Sequence, residues 1–533
     1  MSDPTTVDAV VVGAGFSGLY AVHKLRGLGL DVQGFEAGDG PGGTWYWNRY
    51  PGARCDIESI YYSYSWDPEL IRDWEWSERY AAQPEILAYL EHVADKHDLN
   101  RHFSFGTRVT AATYDEEARR WRVESDKGHL LLARHLVLGV GLLSQRLLPA
   151  IEGIEDFAGE VMHTGSWPHE PVDLAGRRVG VIGTGSTGIQ AIPRIAEVAE
   201  HVTVFQRTPN FSIPARNGAP DPERVRRRRD EHEAVTEEIR TSSYGILLEV
   251  PTQSALEVSA EERTAKYRER WDEGTLTGIL QAYNDMVRNQ EANDTAADFI
   301  RERIGEIVTD PQVADDLMPR GYAYGTKRPC LDTGYYATYN RDNVSLVNVR
   351  RTPITRVTAS SVVTTEGEHS IDVLVLATGY DAQTGPLLAI DPVGRDGRRL
   401  SEHWAAGPRT YLGLTVAGFP NMYTICGPGS PSALSNAIVS IEQHVEWTAD
   451  LIAHLAAQEL EVAEPLDVAE KEWSEHVQDV ASYTLYPNTD SWLMGANVPG
   501  KPRVFLPYIG GVGAYRAYCD SVAAEGYRGF ELG

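Results

Sequence analysis

Twice along this chain an apolar run ends in a glycine pattern that can grip a dinucleotide. Residues 7–18 read VDAVVVGAGFSG and residues 177–188 read RRVGVIGTGSTG, each placing Gly-x-Gly-x-x-Gly directly after a strand-like stretch. The first loop supplies Gly13, Gly15 and Gly18. The second supplies Gly183, Gly185 and Gly188, with Thr184, Ser186 and Thr187 between them and Gln190 just beyond. Glycine permits the tight turn and lets the backbone approach a pyrophosphate, and the N-terminus of the following helix attracts its charge. A single such pattern is weak, because glycine-rich turns are common. Two of them, each in strand–loop–helix context, point to two dinucleotide sites.

The elements that must position these loops can be read on either side. Helical stretches follow at Leu19–Gly27 and Ile189–Val198, and second strands at Val32–Glu36 and Val202–Gln206, which completes two βαβ units. Their ends differ in charge. Glu36 lies 23 residues after Gly13 and can accept hydrogen bonds from ribose hydroxyls, whereas Arg207, followed by Thr208, lies 24 residues after Gly183 and suits a 2′-phosphate. FAD is therefore expected at the first loop and NADP at the second.

Composition bounds the rest. A chain of 533 residues is too long for one ordinary core, and 42% hydrophobic with 23% charged residues is globular. The net charge of −27 argues against nucleic acid as a partner. Cys55, Cys330, Cys426 and Cys519 show no metal-ligand spacing and no CxxC pair, so neither a zinc site nor a disulfide framework is expected and a reducing cytoplasm fits. The N-terminus lacks a basic signal-like region, and the apolar stretch Leu130–Leu143 is broken by Arg134 and His135 and too short to cross a bilayer. No membrane segment is expected.

These signals predict an α/β protein with two Rossmann-like domains and a helical insertion. Residues 1–144 begin the FAD domain and 145–213 the NADP domain. Residues 214–330 hold an insertion whose dense charge at helical spacing starts near Asp221, and its run Arg226–Arg229 reads as a solvated face. Residues 331–380, with strands at Val344–Val349 and in IDVLVLATGYDAQTG (371–385), return to the NADP domain. Residues 381–533, with the small-residue loop CGPGSPSALSN (426–436) and a helix over Ala437–Leu455, complete the FAD domain.

Just before the second loop, residues 157–168 read FAGEVMHTGSWP. Two Gly-x-Gly-x-x-Gly loops flanking this FxGxxxHxxxWP pattern, filled by Phe157, Gly159, His163, Trp167 and Pro168, resemble the fingerprint of the FAD- and NADPH-dependent Baeyer–Villiger monooxygenases. The resemblance extends to GGTWYWNRYPGARCD (42–56), FQRTPNF (205–211), GTKRP (325–329), ATGYDA (377–382) and ANVPGKPR (496–503). GPGSPSALSN and SIEQHVEW are most similar to the phenylacetone monooxygenase branch.

The resemblance implies oxidation of ketones to esters or lactones with NADPH and O2, through a C4a-peroxyflavin that needs a fixed cation and little water. It implies Arg328 as that cation and Asp56 as the carboxylate that positions it. Lys327 would join Arg207 and Thr208 around the 2′-phosphate. Thr44, Trp45, Tyr46, Trp47, Arg54, Cys55, Tyr62 and Val109 would accompany Glu36 in cofactor binding. Ser432, Ala433, Leu434 and Ala437 would shape the substrate pocket, with Trp492 over nicotinamide and substrate. His163 would couple the domains rather than act chemically. Two places depart from the family pattern: Ala437 stands where a larger Met is expected, and LVLGVGLLS (136–144) replaces a strand that usually contains ASG. An N- or S-oxygenating flavin monooxygenase shares the two-loop design, but its fingerprint normally lacks the position filled by Trp167.

Overall fold

Both glycine loops sit at the carboxyl end of a central parallel strand in the computed structural model, which describes residues 5–533. The first sheet runs in the order Phe103–Ser104, Val32–Phe35, Thr5–Val12, Leu130–Leu138, Arg120–Ser125, Val109–Asp115. Met422–Thr424 joins it by pairing in parallel with Leu130–Leu138, so a strand nearly 300 residues downstream belongs to the same sheet. The second sheet is wholly parallel, in the order Val344–Asn348, His201–Gln206, Arg178–Ile182, Val373–Leu376, Glu160–His163.

Burial on both faces explains why these central strands are nearly continuous apolar runs. Ala9 and Val11 pack beneath the helices Phe16–Gly27 and Ala437–Ala457, while Val10 and Val12 face Trp121, Leu136 and Phe419 on the opposite side. In the second sheet Val179 and Val181 meet Ile189, Ile192 and Ile195 of the helix Ser186–Val198. Truncating a fully buried side chain such as Leu451 would cost about 2–5 kcal/mol, because the neighbours only partly close the cavity.

The glycine requirement is met in the same way at both loops. Gly13 has φ +100° and a Cβ there would lie 2.5 Å from the Gly139 carbonyl oxygen; Gly183 has φ +110° and would meet the Ala377 oxygen at 2.3 Å. The segments 136–144 and 377–379 are thus counterparts, each pressing a small residue onto a nucleotide loop. The unusual LVLGVGLLS keeps the necessary glycine at 139.

Residues 214–330 carry the helices Pro222–Asp230, His232–Thr241, Ala260–Glu273 and Gln290–Ile307. Asp221 caps the first by accepting from the backbone N–H groups of Glu223 and Arg224 at 2.8 and 3.3 Å, with Pro222 at its start. The solvated-face expectation for Arg226–Arg229 needs one correction. Arg226, Arg227 and Arg229 pair with exposed glutamates, but Arg228 is 5% exposed and donates to His232 and Thr236. Helical periodicity turns one residue in four inward, and here that residue is a charged one whose fork reaches local acceptors. No helix among the described residues is long and apolar enough to cross a membrane.

Candidate active site

Three segments remote in sequence converge on one guanidinium. Arg328 precedes the short strand Cys330–Asp332, which is held in parallel against Ser212–Pro214 just after the second βαβ unit. Its Nε and Nη2 donate to the two Asp56 carboxylate oxygens at 2.8 and 2.9 Å, and its Nη1 donates to the Ala433 carbonyl at 3.0 Å. Both ionic side chains remain 25% exposed, so the pair is reachable. Burial opposes the charge on Arg328, yet Asp56 outweighs it and lifts the guanidinium pKa above the ordinary arginine value. The result is a permanent cation with its plane fixed, beside a loop of small residues.

The backbone leading into Asp56 is held from the other nucleotide unit. Tyr50 Oη donates to Gln190 Oε1 at 2.8 Å, and Gln190 Nε2 donates to the Arg54 carbonyl at 3.1 Å. Gln190 and the backbone of Arg54 therefore bind each other across the two units. The Arg54 guanidinium is occupied by Glu78 and the Tyr80 carbonyl. Cys55 is buried, which raises its thiol pKa and keeps it protonated.

The first loop fits a dinucleotide. Gly15 and Gly43 face each other so closely that a Cβ on Gly43 would lie 2.8 Å from the Gly15 Cα, which brings the segment Thr44–Trp47 over the loop. Glu36 is 5% exposed, and its carboxylate accepts from the backbone N–H groups of Ala14 at 2.8 Å and Gly38 at 2.7 Å. Each oxygen keeps lone-pair capacity for a hydroxyl. Burial raises the Glu36 pKa, and the backbone donors together with Trp47 offset part of that rise. Trp45 Nε1 donates to Tyr62 Oη at 3.2 Å, Tyr46 Oη accepts from the Asp39 N–H at 2.9 Å, and Thr44 stays exposed. Val109 is buried at the start of its strand, two residues after Thr107, whose N–H donates to the Glu36 carbonyl at 2.8 Å. Gly18 and Gly188 pack on the carbonyls of Gly13 and Gly183, holding each helix against its loop.

The second loop is rimmed by cations. Arg207 is exposed, Lys327 lies over the Tyr322 ring at 4.9 Å, and Arg350 Nη2 donates to Thr208 Oγ1 at 3.0 Å. None of the three forms an ion pair among the described residues, in a chain with a large acidic excess. Burial, then the neighbouring Arg207 and Arg350, push the Lys327 pKa down, as expected where cations gather without a counterion. Such a cluster fits a phosphate. Arg350 escaped the sequence reading because it sits after the edge strand Val344–Asn348, in a stretch whose only signal is a run of two arginines. Thr184 Oγ1 donates to the Thr208 carbonyl at 3.2 Å, Thr187 accepts from Thr164 at 3.2 Å, and Ser186 lies 3.2 Å from the Cys330 sulfur.

Beside Arg328, Ser432 and Ala433 are buried, and Leu434 and Ala437 are half-buried at the start of the long helix capped by Asn436. Ala433 and Leu434 share a small apolar cluster with Trp492, Tyr486 and Phe505. The fingerprint residues lie on the second sheet's edge. Phe157 and Trp167 are core, Gly159 presses on the Asp372 carbonyl, and His163 ends the edge strand. The His163 Nδ1 accepts from the Gly165 N–H at 2.9 Å, so the neutral ring carries its proton on Nε2, which faces Thr378 Oγ1 at 3.4 Å. Gly165 in turn abuts the Tyr380 ring, and Tyr380 Oη donates to Asn48 in the segment that follows Trp47.

The family model for pyridine nucleotide-disulphide oxidoreductases matches residues 7–221. All four cysteines here are free and buried. The chain is 42% identical over 98% of its length to a Baeyer–Villiger monooxygenase of Pseudooceanicola batsensis, covering 95% of that protein. It is also 42% identical over its whole length to the phenazine N-monooxygenase PhzNO1 of Lysobacter antibioticus, covering 98% of that protein. Among solved structures, an oxidised steroid monooxygenase bound to NADP is 50% identical, with a TM-score of 0.94 over 99% of each chain. The chain belongs to the Baeyer–Villiger monooxygenases, FAD- and NADPH-dependent enzymes that use O2 to convert ketones to esters or lactones.

Proposed function

We propose that Arg328 is the catalytic cation of this enzyme and Asp56 the carboxylate that aims it. The observation that carries this reading is the two-point Arg328–Asp56 pair with its third bond to the Ala433 carbonyl. When bound, NADPH supplies hydride to FAD, and the reduced flavin supplies electrons to O2 for oxygen insertion. The chain's own contribution is positional and electrostatic. Arg328 stabilises negative charge on the reacting oxygen atoms, and its bond to Ala433 fixes it relative to the loop that receives the ketone. Ser432, Ala433, Leu434, Ala437 and Trp492 shape the ketone pocket and exclude water from it.

In the same reading Gly13, Gly15, Gly18, Glu36 and Thr44–Trp47 hold FAD. Gly183–Gly188, Arg207, Thr208, Lys327 and Arg350 hold NADP, the last four around the 2′-phosphate. The FAD domain comprises residues 1–144 and 381–533, the NADP domain 145–213 and 331–380, and the insertion 214–330. Four buried free cysteines support a cytoplasmic setting. The small side chains of Ala433 and Ala437 favour ketones bulkier than acetone.

The test is product analysis by mass spectrometry after incubation with NADPH, O2 and a panel of linear, aryl and cyclic ketones. Ester or lactone with one added oxygen atom is expected. The likeness to a phenazine N-monooxygenase favours one second reading, so phenazine belongs in the panel. An N-oxide formed in the absence of any ester would replace ketone oxidation by N-oxygenation.

A further inference from the structure

The two chain crossings between the sheets are zipped together. Residues 142–147 run antiparallel to residues 379–383, with the Leu147 N–H donating to the Gly379 carbonyl at 3.0 Å, Asp381 to Gln145 at 2.9 Å and Gln383 to Leu142 at 2.9 Å. Thr378 Oγ1 adds a bond to the Leu147 carbonyl at 2.6 Å. Any rotation of one sheet against the other must bend or twist this ribbon.

A third segment is fastened onto the ribbon. Asn497 Nδ2 donates to the Tyr380 carbonyl at 2.8 Å, and Lys501 Nζ donates to Asp381 Oδ1 at 2.5 Å and to the Ala382 carbonyl at 3.1 Å. The Lys501 and Asp381 side chains are 10% and 23% exposed, so this ion pair is far drier than most on the surface. At the segment's other end, Thr489 Oγ1 meets Thr326 Oγ1 at 2.7 Å, two residues before Arg328. Trp492 lies between the two attachments, and Leu142 of the ribbon packs into the same apolar cluster as Trp492, Ala433 and Leu434.

We propose that Lys501 and Asp381 are positioning residues, a latch that ties the Trp492 segment to the interdomain ribbon and so sets where Trp492 stands relative to Arg328. The proposal rests on the reading of Arg328 and Trp492 given under Proposed function. Its physical content is that the segment is anchored at its two ends, by buried Leu493 and Phe505 and the Arg503–Asp490 ion pair, while its middle is bonded to the ribbon. Between residues 495 and 504 it is irregular, and Pro499 and Gly500 are exposed. The position of its middle therefore depends on bonds made to the ribbon. Removing the ammonium takes away two of those bonds and leaves a carboxylate partly buried without its cation.

The experiment uses FAD-loaded protein with and without NADP+. Amide hydrogen exchange over residues 488–505 is compared in wild type, Lys501→Met, which keeps the aliphatic stem, Asp381→Asn and Lys501→Arg. Exchange in the first two variants should rise at least about tenfold in this segment and stay unchanged in the Gly13 loop. The fraction of NADPH oxidation that yields ester should fall with it, and Lys501→Arg should restore most of both. Unchanged exchange in Lys501→Met and Asp381→Asn overturns the latch. Faster exchange with an unaltered ester-to-NADPH ratio overturns its positioning role. Failure of the underlying functional reading shows separately, as absence of ester from the wild-type protein.

Discussion

Arg328 and Asp56 stand 272 residues apart in the chain and meet in two parallel hydrogen bonds at 2.8 and 2.9 Å. A fork-to-fork pair fixes the plane of the guanidinium as well as its position, and the remaining Nη1 is turned to Ala433. This arrangement separates two roles that mutation can resolve.

Replacing Arg328 with Ala should remove about 3 kcal/mol of stabilisation from the reacting oxygen, roughly a hundredfold in ester formation, while FAD stays bound because the Gly13 loop is untouched. Asp56→Ala should be milder, since the cation remains but is no longer aimed. Ester yield per bound flavin measures both. Wild-type ester formation by FAD-loaded Arg328→Ala protein would place the catalytic cation elsewhere.

Arg207, Lys327 and Arg350 gather around Thr208 with no carboxylate among them. If they share one 2′-phosphate, Arg207→Ala and Arg350→Ala should each cost about 1.5–3 kcal/mol toward NADPH and little toward NADH. The readout is the ratio of KM values for the two coenzymes. An equal change for both would show that the arginine acts on something other than the phosphate.

Local pattern and distant pairing were not equally visible in the sequence. The glycine loops, the helices after them and the opposite charges of Glu36 and Arg207 are legible because each βαβ unit is a local construction with a period and fixed offsets. The helices start at Phe16 and Ser186, about three residues before the apolar pattern at Leu19 and Ile189, because the first turn is the closing part of the glycine motif itself. Convergence of Asp56, Arg328 and Ala433 has no local signature at all, and only likeness to a family singled these residues out. Arg350, inward-facing Arg228 and the Lys501–Asp381 pair were invisible for the same reason: each is an ordinary charged residue until the fold gives it a neighbour.

His163 lies beneath the ribbon that joins the sheets, with Nδ1 committed to Gly165 and Nε2–H toward Thr378. His163→Ala would strand the buried Gly165 N–H and cost about 1–3 kcal/mol of stability. His163→Asn can keep that acceptor while losing the contact to Thr378. If the ring couples the two units, both variants should keep FAD and slow the reduction of flavin by NADPH. A purely structural ring would leave Asn indistinguishable from wild type in stopped-flow reduction.

Three histidines make stability depend on pH in a definite direction. Burial lowers the pKa of His135 to about 3 and of His444 to about 3, and burial together with Arg146 lowers that of His163 to about 4. His135 Nδ1 has no hydrogen-bond partner among the described residues, and His444 Nδ1 accepts from the Cys426 N–H at 3.0 Å, so a second proton on either ring would bring charge into a dry site that offers it no acceptor. In the unfolded chain each imidazole titrates near its ordinary value of about 6.5. Between that pH and about 4 the unfolded state binds protons that the native state refuses, so stability is full above about pH 6.5 and falls as the solution is acidified. The slope approaches 1.4 kcal/mol per pH unit for each histidine, or about 4 for all three together. Urea midpoints measured at pH 7.5, 6 and 5 should decline accordingly, and His444→Phe should remove about a third of the histidine-dependent slope. A slope that His444→Phe leaves intact would mean that this ring takes up its proton in the native state after all.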